Sequence, residues 1–168
     1  MPSTQHIVIN TSPLIALAAA WGSLSRLQSL YEEVLVPLEV QQEILRGGIS
    51  DFGIAEFQSA DWLSLCEQPV VIQPFLRNSL DLGEASVIQL ALNRSIKTVC
   101  IDEVVGRRVA RLNGLSITGS IGILLKAKQQ DPSMSVENAI SNMLQRRIRL
   151  SQRVIDFAIN QSGEANTD

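Results

Sequence analysis

The sequence predicts an α/β fold, a parallel sheet with helices on both faces, on two observations. Short apolar runs rich in β-branched residues alternate with longer stretches at helical period, strand then helix, along most of the chain. Several of these runs stop at a polar or charged residue, so that functional side chains collect at strand carboxyl ends, where open α/β proteins bind their ligands.

The first element is HIVIN, residues 6–10, a short apolar strand ending at Asn10. A helix follows at once, with Thr11 or Ser12 able to cap it and Pro13 suited to its first turn. A second helical stretch, Leu24 to Tyr31, leads to the strand Val34–Val36, closed by Pro37. Leu38, Val40, Ile44 and Leu45 then give an amphipathic helix ended by Gly47 and Gly48, with Glu43 next to its apolar side. In isolation the ordinary reading of Glu43, a solvent-facing glutamate late in a helix, wins. A helix around Ile54–Ser59, a strand at Trp62–Cys66 and a polar connection through Pro69 and Pro74 come next.

The centre of the chain is Leu80 to Glu103, LDLGEASVIQLALNRSIKTVCIDE. Val87, Ile88, Leu90, Ala91 and Leu92 form one apolar helical face, and Thr98 to Ile101 form a strand stopped by charge. Glu84 opens the helix and Asp102 closes the strand, eighteen positions apart. In an α/β sheet both belong to the same edge, and two anions brought close require a cation or a shared proton. A plainer reading also fits: Asp81 and Glu84 have capping-box spacing, and Asp102 can be a turn residue or the cap of the next helix.

Beyond it, Glu103 to Arg111 read as a helix with three arginines, ended by Asn113 and Gly114. The strand Ser116–Thr118, a helix from Gly119 to Gln130, and helices over Ser135–Arg146 and Ser151–Gln161 complete the pattern. Arg146, Arg147 and Arg149 form a basic knot between the last two. Residues 1–161 read as one domain without repeat or linker, and residues 162–168 as a small, polar, frayed tail.

Composition narrows the chemistry. With hydrophobic types at 45% and charged types at 18%, 168 residues have ample material for one core. No leader and no membrane-spanning stretch is evident, which points to the cytoplasm. Cys66 and Cys100 lie in apolar runs without metal-ligand spacing and read as buried free thiols in a reducing compartment. With His6 as the single histidine, a Ser-His-Asp triad or a histidine zinc site is set aside. Residues 1–93 carry three Arg against ten acids, a net of −7, while residues 94–168 carry eleven Lys and Arg against seven acids, a net of +4. A weakly acidic chain can still offer a basic surface to a polyanion. Thr118 to Gly122, TGSIG, resembles part of a phosphate-binding turn but lacks both GxGxxG and GK[ST].

Asn10, Glu43, Glu84 and Asp102 are therefore the candidate site, oxygen donors that suit a hard divalent ion such as Mg²⁺ or Mn²⁺. Such an ion activates water and steadies charge on a phosphodiester, with arginines after Asp102 placed to meet a nucleic-acid backbone. A phosphatase, or a plain metal-binding regulator, fits the spacing as well.

The segments INTSPLIAL, VLVP followed by VQQEIL, LDLGEASVIQLAL, VCIDEVVGRRVARLNGL and ITGSIGILLKAK, in this order, resemble the PIN-domain superfamily, which includes the VapC-like toxins. More closely, they resemble the bacterial PIN-like domain of unknown function 3368, from about residue 7 to about residue 160. The resemblance implies a three-layer α/β/α sandwich around a mostly parallel sheet. It also implies Mg²⁺- or Mn²⁺-dependent cleavage of single-stranded RNA, as the toxin of a type II toxin-antitoxin pair restrained by a small antitoxin, and a homodimer. By motif, the acidic quartet of such nucleases falls on Asn10, Glu43, Glu84 and Asp102, with Arg107 and Arg108 expected to contact phosphate. The first position departs from the pattern, because Asn10 stands where these nucleases usually have Asp. An amide keeps an oxygen ligand and loses a charge, so metal affinity should fall, unless Glu103 turns inward to restore it. The alternatives are a catalytically silent PIN-like module that binds RNA or a partner protein, and an interaction subunit whose acids are caps.

Overall fold

A computed structural model describes residues 6–47 and 52–164. Gly48, expected to help end a helix, and the last four residues of the expected tail lie outside the described residues.

Five parallel strands form one sheet in the order β3-β2-β1-β4-β5. They are β1 (His6–Ile9), β2 (Glu33–Val36), β3 (Ser64–Leu65), β4 (Thr98–Cys100) and β5 (Ser116–Thr118). Ile7, Val8 and Ile9 of β1 are fully buried, as a central parallel strand covered on both faces requires, which is why its sequence is a run and not an alternation. At the edge, β3 is shorter than the expected Trp62–Cys66: Leu63 N–H is turned back to the Ala60 carbonyl, while Cys66 N–H still reaches Val36. Cys66 is correspondingly half-exposed, not buried, and only Cys100 is the expected buried thiol.

Helix α1 (Thr11–Trp21) follows β1. Asn10 occupies its N-cap position, one residue earlier than expected. Helices α2 (Ser25–Leu30), α3 (Leu38–Arg46) and α4 (Ile54–Ser59) precede β3. The connection expected through Pro74 contains a further helix, α5 (Pro74–Ser79), with proline at its first position, where its missing N–H is no loss. Helix α6 (Leu82–Arg94) packs on β1 and β4 with α3, α5 and α7 (Val104–Leu112) beside it. The other helices, α8 (Ser120–Gln130), α9 (Val136–Gln145) and α10 (Gln152–Ser162), pack together, and α1 packs on α8 and α9. The result is the α/β sandwich that the sequence predicts.

Ser162 is the last residue of α10, and the Glu164 carboxylate accepts from the backbone N–H groups of Val136 at 2.8 Å and Glu137 at 3.3 Å and from the Ser135 hydroxyl at 2.9 Å. The first part of the expected tail thus caps α9. No helix among the described residues is long and apolar enough to cross a membrane.

The strand order fixes where a site can form. The chain leaves β1 towards β2 and β3, then returns to the other side of β1 for β4 and β5. The switch in direction opens a crevice between the carboxyl ends of β1 and β4. Asn10 follows one of these ends directly, its N–H donating to the Cys100 carbonyl at 3.0 Å, and Asp102 follows the other.

Candidate active site

Asn10 takes the N-cap position without capping. Its backbone is extended, at φ −87° and ψ 170°, but its side chain bonds to no helical N–H, although asparagine is among the best residues for that task. The residue is 4% exposed, and its Oδ1 is buried without a hydrogen-bond partner. The neighbouring Thr11 Oγ1 is buried and unpartnered as well. Leaving such an oxygen dry and unbonded costs about 1–3 kcal/mol, so two together mark a place where a donor or a cation is wanted.

Gly83 shows what surrounds Asn10. A β-carbon on Gly83 would stand 3.0 Å from Asn10 Oδ1, 2.9 Å from Glu43 Oε2 and 3.6 Å from Asp81 Oδ1. Three oxygens from three separated stretches of chain converge on a space that exists because residue 83 has no side chain. Glu43 itself is exposed on α3, as the ordinary solvent-facing reading of its position has it, yet its Oε2 faces this space. The buried acid of that helix is Glu39, at 7% exposure, whose Oε2 accepts from Val70 N–H at 2.9 Å.

Asp81 performs the capping role that its spacing predicts, accepting from Glu84 N–H at 2.8 Å. Yet Asp81 Oδ1 also faces the Gly83 space, and sequence reasoning left it out of the site because the cap explained it fully. Glu84 turns inward and is 6% exposed, its carboxyl carbon 3.3 Å from the place where a β-carbon on Gly106 of α7 would stand. Burial first, then the charges of Asp81, Glu103 and Glu43, push its carboxyl group up to about 7, with the Asp81 backbone N–H opposing them. Four acids thus share one field, and Glu103, expected only as a possible replacement charge, is one of them.

Asp102 stands apart. Its Oδ1 accepts from Ser120 N–H at the start of α8 at 2.8 Å, and it does not cap the helix that follows it. Arg107 reaches back to the Ile101 carbonyl with Nη1 at 3.0 Å. Both Asp102 and Arg107 line a groove of about 500 Å³ that continues past Val104 and Ile121 to Arg149 and Phe157. Arg108 is exposed and is not among the groove's lining residues. Of the basic knot, Arg146 lies over the Phe52 ring at 4.5 Å, and Arg147 adopts φ +64°.

The sequence quartet is therefore gathered in two parts. Asn10 and Glu43 meet Asp81 at Gly83, with Glu84 against Gly106 and within the field of Asp81 and Glu43, while Asp102 and Arg107 lie together beside Gly119. Among the described residues no three Asp, Glu, His or Cys side chains come close enough together to hold a metal ion between them. The donors around Gly83 are nevertheless all oxygens, one of them an amide oxygen left without a partner, which is the chemistry of a hard divalent cation.

The family model of domain of unknown function 3368, described as a PIN domain, matches residues 6–164. No curated protein and no solved structure matches the chain.

Proposed function

This chain belongs to the PIN-domain family, whose members are generally nucleases and typically use divalent metals, and from that premise we propose that it is a metal-dependent endoribonuclease cleaving single-stranded RNA. The observation that carries the reading is the buried, unpartnered Asn10 Oδ1 facing Glu43 and Asp81 across Gly83, with Glu84 beside them.

Asn10, Glu43 and Glu84 would hold Mg²⁺ or Mn²⁺, with Asp102 as the ligand from the far side of the crevice. When bound, such an ion supplies an activated water and offsets charge developing on the phosphodiester. The remaining work falls to the chain. Glu84 is kept from water and set among like charges, so its carboxylate gains more from a cation than an exposed one would. Asp102 spends Oδ1 on Ser120, leaving Oδ2 for the site. Arg107, held by Ile101, and the exposed Arg108 contact phosphates on the approach to Asp102.

We read the protein further as the toxin of a type II pair, restrained by a small antitoxin and acting as a homodimer. Supporting an apolar partner are Val104 and Leu112 on α7, 71% and 79% exposed.

Calorimetry with Mn²⁺ and Mg²⁺ on the wild type and on Asp102→Asn, followed by RNA cleavage on the same samples, tests the nuclease reading. Binding and cleavage in the wild type, both lost in the variant, establish it; cleavage retained by Asp102→Asn sinks it. The second reading, a silent module that binds RNA or a protein, is favoured by Asn10, which removes one charge from the cation site. It requires RNA affinity that EDTA leaves unchanged.

A further inference from the structure

The segment TGSIG, residues 118–122, lies against Asp102, with Gly119 beside the carboxylate that Ser120 N–H holds. We infer that Gly119 is a positioning residue: its bare α-carbon lets the Asp102 carboxylate seat on the Ser120 N–H with Arg107 alongside. This rests on the reading of Asp102 as a ligand of the nuclease site.

What Gly119 supplies is space, not backbone freedom. Gly119 has φ −142° and ψ −176°, extended backbone open to any residue. A β-carbon there would stand 2.6 Å from Asp102 Oδ1 and 2.7 Å from Arg107 Nη1, both far inside contact distance. Those two atoms are the ends of flexible side chains, so alanine at 119 would move them and spare the fold. The same carboxylate oxygen accepts from Ser120 N–H at 2.8 Å, a bond to a backbone atom at the start of α8. Two parts of the sequence eighteen residues apart, one ending β4 and one starting α8, therefore aim a single oxygen atom. Partners of this kind commonly set a ligand's orientation, and their loss weakens metal binding roughly 10–100-fold.

Gly122 supplies the control. It lies three residues further on, in α8, and a β-carbon there would also stand 2.6 Å from a side-chain oxygen, Thr118 Oγ1, with no atom of Asp102 within 4 Å.

The experiment compares wild type, Gly119→Ala, Gly122→Ala and Asp102→Ala by thermal melting, by hydrogen exchange at the Ser120 amide, and by Mn²⁺ calorimetry. The expected result is a melting temperature kept in both glycine variants and Ser120 protection lost in Gly119→Ala and Asp102→Ala alone. Mn²⁺ affinity falls about tenfold in Gly119→Ala and stays at the wild-type value in Gly122→Ala. Protected Ser120 in Gly119→Ala, equal losses in both glycine variants, or a fall in melting temperature matching the fall in affinity would each overturn the inference. Normal Ser120 behaviour in a wild type that binds no Mn²⁺ sinks the metal reading, and reduces the contact to a helix cap, which overturns the inference by a separate route.

Discussion

Glu84 and Glu164 are both largely withdrawn from water, and their protons behave in opposite ways. At Glu164 burial works against ionisation, but the Val136 N–H, the Ser135 hydroxyl, the Glu137 N–H and the Ser162 hydroxyl outweigh it and hold the carboxyl group below its usual range. At Glu84 burial works the same way and the neighbours are Asp81, Glu103 and Glu43, so the group rises to about 7. A buried carboxylate whose donors outweigh its burial is a structural part, whereas one whose like-charged neighbours outweigh its single backbone donor is an unmet demand for a cation or a proton. Asp102 has one carboxylate oxygen bonded to a helix start, the Ser120 N–H.

The largest effect that sharpens this contrast is on cleavage. Asp102→Asn retains an oxygen for Ser120 and loses the charge, so RNA cleavage should fall by about 100-fold or more with an unchanged melting temperature. Glu164→Ala should do the reverse. Removing the acceptor of three donors at the start of α9 costs on the order of 2 kcal/mol of stability in a urea titration, while cleavage by the folded enzyme is kept.

Acidity separates the two groups by sign. The folded chain holds the Glu84 proton more tightly than the unfolded chain, where the value is near 4.5. Its contribution to stability is therefore present below that pH and lost as pH rises to about 7. Glu84→Gln should remove this slope and raise stability at pH 8 by on the order of 2 kcal/mol, while abolishing cleavage. The depressed Glu164 contributes stability above its ordinary 4.5 that is lost as pH falls through its folded value, so Glu164→Gln should flatten only the acid limb of the profile. If both variants flatten the same limb, the contrast is wrong.

The smallest effect is expected at Asn10. Asn10→Asp adds a fifth acid to the field around Glu84, so the metal-free protein should lose about 1 kcal/mol at pH 8, while Mn²⁺ affinity rises about tenfold. A variant less stable both with and without Mn²⁺ would remove Asn10 from the cation site.

Some of the site was open to reading because the governing signals are local. Asp81 and Glu84 stand three apart at a helix start, and the structure keeps both meanings of that spacing, cap and buried acid. Asn10 and Asp102 were found because β-branched runs stop at them. Glu43 is exposed, as its helix position alone suggests, but a helical wheel cannot tell that Glu39, four residues earlier, lies under a neighbouring loop. Cys66 and α5 were misread because an edge strand and a proline-led helix carry the same residue types as a longer strand and a loop.

Strand and helix periodicity, set by the backbone repeat and the need to bury one face, determined from sequence alone the α/β class, the parallel sense of the sheet and the edge at which polar residues collect. Which of those residues face each other depended on contacts across the fold. Gly83 against Asn10 and Glu43, Gly119 against Asp102, and Glu164 against α9 join positions far apart along the chain, from different elements. The field that raises Glu84, and the oxygen left unbonded on Asn10, arise only once packing has excluded water from them.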